Sequence, residues 1–179
     1  MLTQSAGSGT LTPDLVLTLK VIYFFAGQSR WADIVACLRA LVDEFNACKE
    51  FPIAVTLLIE EVDIARGAAH DLLKVPKQQR YLAQVSSSTF GVVIAAPPCE
   101  THTRAVFSGR PGPQPIRDVF HPRVVPNLSP GWRAKAEAAN KLHDFTVEVF
   151  RAAAKAHALA LMGFPEDLGA TPRGVPASI

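Results

Sequence analysis

The sequence predicts an α/β domain in which helices flank a mainly parallel sheet in three layers. Three short apolar runs rich in β-branched and aromatic residues, 18–25, 53–59 and 92–96, have the length and composition of buried strands. Between them lie stretches whose apolar residues recur at helical spacing. Strands alternating with helices at this interval build βαβ units, whose crossovers are right-handed.

Each element has its own signature. After a strand over 18–25, Ala26-Gly27-Gln28-Ser29 forms a turn. Trp31, Ile34, Val35, Leu38, Leu41, Val42 and Phe45 then predict a helix over 30–48. The strand over 53–59 runs into Glu60-Glu61-Val62-Asp63, placing acids at its carboxyl end. A short helix or loop carries 69–73, a helix 77–85, and Ser86-Ser87-Ser88 a loop. The strand 92–96 stops at Pro97-Pro98 and is followed at once by Cys99. Ser129-Pro130-Gly131-Trp132 reads as a helix start, with the helix over 132–157, a short strand over 158–162 and a loop over 163–169.

At 179 residues, 49% apolar and 19% charged, the chain suits one globular domain with a substantial core. That domain spans 15–169, between flexible tails at 1–14 and 170–179. No apolar stretch approaches the ~20 residues of a membrane span, and the first residues lack the basic and apolar regions of a signal peptide. Three cysteines without paired spacing argue against a disulfide framework and for an intracellular setting, cytoplasmic or nuclear. No C-x-x-C or H-x-x-x-H pattern points to zinc, so no metal is expected. A net charge of +2 identifies no partner. Its distribution says more: residues 104–130 are rich in proline and carry Arg104, Arg110, Arg117 and Arg123, with Asp118 the one acid. Loops of that length inside a compact domain are usually functional or disordered.

Chemistry in open α/β sheets gathers at the carboxyl edge. Four strand ends are expected there, contributing Phe25-Ala26-Gly27, the acids Glu60, Glu61 and Asp63, Pro97-Pro98-Cys99, and residues 163–167. A glycine turn lets a backbone approach a ligand, and an acid after the second strand can accept hydrogen bonds from both hydroxyls of a ribose. Together these suit a nucleoside-containing cofactor. The same residues also read as a plain tight turn and a solvated acidic strand end, because G-x-G-x-x-G is absent.

Phe24-Phe25-Ala26-Gly27, the acids Glu60, Glu61 and Asp63, His70-Asp71-Leu72 and Pro97-Pro98-Cys99-Glu100-Thr101-His102-Thr103-Arg104-Ala105 stand in the order of cofactor and catalytic motifs. In that order the chain resembles cytosine-5 DNA methyltransferases over 20–169. It is also similar to a group of methyltransferase-like proteins with a Pro-Pro-Cys motif and a late Pro-Glu-Asp-Leu-Gly, here Pro165 to Gly169. The resemblance implies a Rossmann-like fold and S-adenosylmethionine as cofactor. Phe25, Ala26, Gly27 and Pro97 would line it, Glu60, Glu61 or Asp63 would hold the ribose, with Glu61 and Asp63 favoured, and Asp71 would approach the adenine amine. Cys99 would be the nucleophile, with Thr103 and Arg104 completing its motif. A thiolate adding to carbon-6 of a flipped-out cytosine makes carbon-5 nucleophilic enough to take the methyl group. Arg104, Arg110, Arg117, Arg123 and Arg133 would grip nucleic-acid phosphates, most simply of DNA; equally, they form a solvated loop.

Two departures from the family stand out. Gly163 occupies the place of a carboxylic acid that assists the cytosine ring, with Glu166 nearby but out of position. The chain ends soon after, so the expected domain is compact and C-terminally truncated relative to full methyltransferases. A catalytically inactive methyltransferase-like fold, serving as a nucleic-acid-binding or protein-interaction module, is therefore the rival reading. Other cysteine chemistries fit less well. A phosphatase loop needs one more residue between Cys99 and Arg104, an amino-methyltransferase needs polar and aromatic residues where Ala96 and Cys99 stand, and a hydrolase has no spacing that selects among His70, His102, His121 and His143.

Overall fold

The computed structural model describes residues 15–28, 30–31, 33–48, 50–101, 115–118 and 120–163. The elements run β1 (Leu15–Phe24), α1 (Ile34–Cys48), β2 (Ile53–Val62), α2 (Val75–Ser86), β3 (Val92–Ala95), α3 (Pro130–Lys155) and β4 (Leu159–Met162). Two 3₁₀ turns, Ile64–Arg66 and Ala68–His70, join β2 to α2. The two expected tails, residues 102–114 and residues 164–169 lie outside the described residues.

The sheet has four strands in the order β2-β1-β3-β4, all parallel. From β1 the chain steps one way to β2, then crosses back past β1 to β3. Right-handed crossovers in opposite directions put their helices on opposite faces. The packing agrees: Val35 of α1 joins Val21, Tyr23 and Ile94 on one face. On the other, α2 and α3 bring Tyr81, Val85, Phe145 and Val149 against Ile22, Phe24 and Val93. This is the expected α/β, Rossmann-like three-layer arrangement.

The larger core centres on Phe24. Its ring meets those of Tyr81 and Phe145 edge-on, each at 5.4 Å between centroids, a geometry favoured by the ring quadrupoles. Phe24 sits in β1 opposite Val62 and Ala95, so β1 is buried on both sides there, as a central parallel strand should be. Among the described residues no helix is long and apolar enough to cross a membrane.

Several boundaries differ from the sequence expectation for identifiable reasons. α1 begins at Ile34, not at residue 30, because the Asp33 carboxylate accepts hydrogen bonds from the N–H groups of Arg30 and Ala36 at 2.9 Å each and so caps the helix. Those bonds hold its carboxyl below the usual carboxylate range. β2 continues through Glu60 and Glu61, which pair in register with Ile22 and Tyr23. The acids therefore lie within the strand instead of beyond it, and only Asp63 follows it. α3 starts at Pro130, whose missing N–H costs nothing in a first helical turn.

Candidate active site

β1 and β3 are neighbours, but the chain leaves their carboxyl ends towards opposite faces of the sheet. A crevice opens at such a switch point. The structure has a cavity of about 220 Å³ there. Phe25 from the end of β1, Asp63 and Ile64 beyond β2, and Pro98 beyond β3 form part of its wall. The rest comes from residues 70–73 and from Leu142 on α3. Apart from Asp63, His70 and Asp71, the lining is apolar. At that volume it holds a flat ring system more readily than a whole drug-sized ligand, for which pockets of ~300 Å³ and more are usual.

The turn after β1 is fixed at its backbone. Gly27 has φ of 69°, a left-handed conformation natural to glycine. Its N–H donates to Asp63 Oδ2 at 2.9 Å, and its carbonyl accepts from Arg66 Nε at 3.0 Å. Arg66 Nη2 in turn pairs with Glu61 Oε2. The other Asp63 oxygen accepts from Ala65 N–H at 2.7 Å, starting the first 3₁₀ turn. Thus the two acids favoured as ribose ligands are first of all the brackets that hold the Gly27 turn.

Phe25 also has positive φ, 61°, which is costly for a bulky residue. Its N–H donates to Val62 O at 2.7 Å, and its side chain forms cavity wall. Strain of this kind gathers at functional sites.

The charge around the turn is negative. Burial, and after it the carboxylates of Asp33, Glu61 and Asp63, push the Tyr23 hydroxyl above its ordinary pKa. Arg66 offsets part of that field. An edge of this sign favours a ligand that carries positive charge.

The remaining candidates fall as follows. Ala26 packs with the core on the α1 face. Asp71 lines the cavity, with Oδ1 capping Leu73 N–H at 3.0 Å and Lys74 Nζ 3.8 Å from Oδ2. Pro97 is buried, and Pro98 takes the place at the cavity wall that the sequence suggested for it. Cys99 is half-buried directly after Pro98. Thr103, Arg104 and Arg110 lie outside the described residues.

Arg117 requires a correction. Only 2% of it is exposed, so it is not a phosphate grip on a solvated loop. Its Nε donates to Thr101 Oγ1 at 3.2 Å, and its Nη1 donates at 2.8 Å to Pro122 O, Arg123 O and Asn140 Oδ1. Burial and the neighbouring Arg123 hold the guanidinium below its ordinary pKa. Arg123 pairs with Asp144, and Arg133 is exposed on α3.

Gly163 N–H donates to Ala95 O at 2.9 Å, so it ends β4 beside the end of β3. This is the edge where the resemblance puts an acid, and glycine supplies none.

Sequence reasoning missed Arg66, Ile64 and Leu142. Arg66 stands three residues after Asp63, a spacing that a tight turn would bring back onto the strand end. Helical periodicity places Leu142 on the inward face of the long helix, but its place at the cavity depends on the whole of α3. Comparison with protein-family models, with curated proteins and with solved structures returned no match to this chain. Fold and geometry define the class as a Rossmann-like α/β domain with a small, mostly apolar cavity at its switch point.

Proposed function

We propose that this domain binds S-adenosylmethionine at the carboxyl edge and belongs among methyltransferase-like proteins acting on cytosine in DNA. The observation that carries the reading is the cavity between the ends of β1 and β3, with acids at two of its walls. The apolar walls Ile64, Leu72 and Pro98 suit the faces of an adenine ring. Asp71 suits its amino group, and the acidic turn at Gly27 suits the cationic methionine end. When bound, the cofactor supplies an electrophilic methyl group. Cys99 is the residue that adds to carbon-6 of the base; it leaves again when the carbon-5 proton is removed and the double bond re-forms. Of the five arginines expected to grip phosphates, Arg133 is exposed on α3 and supports nucleic-acid binding, while Arg123 already pairs with Asp144.

Gly163 favours a second reading, a domain that keeps the binding cavity without the chemistry. Calorimetric titration with S-adenosylmethionine is the first test, with Asp71→Asn and Ile64→Asp as controls. Micromolar binding, weakened by about tenfold or more in each control, is the expected result. No binding up to millimolar cofactor by folded protein overturns both readings. Trapping of Cys99 by DNA containing 5-fluorocytosine then separates the enzyme from the binding module.

A further inference from the structure

The turn carrying Cys99 is fastened to α3 at two adjacent residues. Glu100 Oε2 lies 3.1 Å from Lys135 Nζ, an exposed pair that contributes little by itself. Thr101 is different. It is 3% exposed, and its hydroxyl accepts from Arg117 Nε. Arg117 then ties Thr101 to Asn140 on α3 and to the carbonyls of Pro122 and Arg123. Asn140 Nδ2 donates to the same Arg123 carbonyl at 3.3 Å. The neighbouring residue Ile116 is 2% exposed, and its carbonyl accepts from Val125 N–H at 3.0 Å. Ile116 and Arg117 are therefore the buried foot of this strap, while Phe120 to Arg123 are exposed.

What makes this more than packing is the choice of residue. Among the described residues all four acceptors of Arg117 are neutral, and its Nη2 has no hydrogen-bond partner. A buried cation without a carboxylate is a poor way to gain stability. A planar fork with five donors is a good way to fix several segments at set angles.

We propose that Arg117 is a positioning residue that sets the presentation of the Cys99 thiol by locking Thr101 onto α3. The assignment rests on Cys99 being the reacting group. It does not require cofactor, so its failure is separable from failure of cofactor binding.

The test compares wild-type protein with Arg117→Lys, Arg117→Ala and the milder Thr101→Val. Native protein is treated with iodoacetamide, and the rate at each cysteine is read by peptide mass spectrometry. Cys37 and Cys48, exposed on α1, are internal references. Losing a charge-assisted hydrogen bond should shift the Cys99-to-Cys37 rate ratio by about tenfold, through local opening of the turn. Thr101→Val should move it in the same direction as Arg117→Ala, and Arg117→Lys should move it less. A ratio within about twofold of wild type in folded Thr101→Val and Arg117→Lys overturns the proposal, because local opening then does not depend on the strap. So does a parallel rise at all three cysteines, which shows that Arg117 holds the fold as a whole and not the turn. An altered ratio in protein that binds no S-adenosylmethionine leaves the strap's hold on the Cys99 turn standing and removes the methyltransferase reading, so the two failures are told apart.

Discussion

Removing the Asp63 carboxylate should loosen the Gly27 turn before it affects anything else. The side chain accepts two backbone hydrogen bonds, from Gly27 at 2.9 Å and from Ala65 at 2.7 Å. The first joins segments far apart in sequence and is partly buried. The second is an exposed helix-cap bond. Charge-assisted bonds contribute about 1.5–3 kcal/mol and caps about 1 kcal/mol, so Asp63→Ala should cost about 2–4 kcal/mol. Asp63→Asn keeps one acceptor oxygen but turns an amide N–H₂ towards one of the two donors, and should cost about half as much. Urea denaturation measures both. With a slope near 2 kcal/mol/M, the alanine variant should lose about 1–2 M in midpoint while the slope stays unchanged. A loss under about 0.5 kcal/mol for Asp63→Ala would refute the reasoning, since it is within the range of ordinary surface substitutions. The two bonds would then be incidental to the fold.

Two more outcomes follow from the core and from α3. Phe145 is 3% exposed and packs edge-on against Phe24, so Phe145→Ala should cost about 3–5 kcal/mol in the same urea assay, and a cost below about 1 kcal/mol would mean that Phe24 does not organise this face. Burial, followed by the nearby Arg117 guanidinium, lowers the His143 pKa from its ordinary value of about 6.5, against the opposing hydrogen bond to Ala139 O and the charge of Asp144. The unfolded chain therefore binds the proton more readily, so the contribution is fully present above about pH 6.5 and is lost as pH falls towards the folded pKa, with a slope of at most ~1.4 kcal/mol per pH unit. Stability curves of wild type and His143→Gln should converge as pH falls through that window, and parallel curves would show that His143 does not titrate differently on folding.

The strands were legible because a central parallel strand must be apolar on both faces, and runs such as Val92-Val93-Ile94-Ala95 have few other uses. The long helix was legible from its periodicity and its Ser-Pro start. The end of β2 was not, because Glu60 and Glu61 look like a solvated strand end until their partners are known. Glu61 stays in the ladder beside Arg66, and Glu60 bears on the Tyr81 hydroxyl, adding to the burial that raises its pKa. The Tyr81 contact is set by tertiary packing, and the Arg66 pair by the 3₁₀ turn that folds back onto the strand end. Arg117 misled for a similar reason. An arginine in a proline-rich stretch is usually exposed, and nothing local announces three carbonyl-type acceptors and a hydroxyl converging on it. The carboxyl-edge location of the site follows from topology alone once strands and helices alternate. Its wall does not, since Leu142 belongs to an element some forty residues beyond Cys99.

On the proposed methyltransferase reading, Gly163 separates cofactor binding from catalysis. The cavity draws on the ends of β1, β2 and β3 and on α3, and none of its lining residues depends on position 163. The resemblance gives an acid at that position a role towards the base and none towards the cofactor. A side chain fits there: a Cβ on Gly163 would meet the Ala96 Cβ at 3.6 Å, an ordinary contact. The backbone is also free of the left-handed conformation that would penalise it. Gly163→Glu should therefore fold with stability close to wild type and place a carboxylate beside the end of β3. If catalysis is limited by that missing acid, the variant should trap 5-fluorocytosine DNA at Cys99 faster by about 10²-fold, the usual contribution of a positioned proton donor. Cofactor affinity should stay unchanged. Equal trapping by both proteins would mean that another group already does the work of the acid. No trapping by either, with cofactor bound, would mean that the edge at Cys99 does not receive a base, and that the domain binds the cofactor without the chemistry.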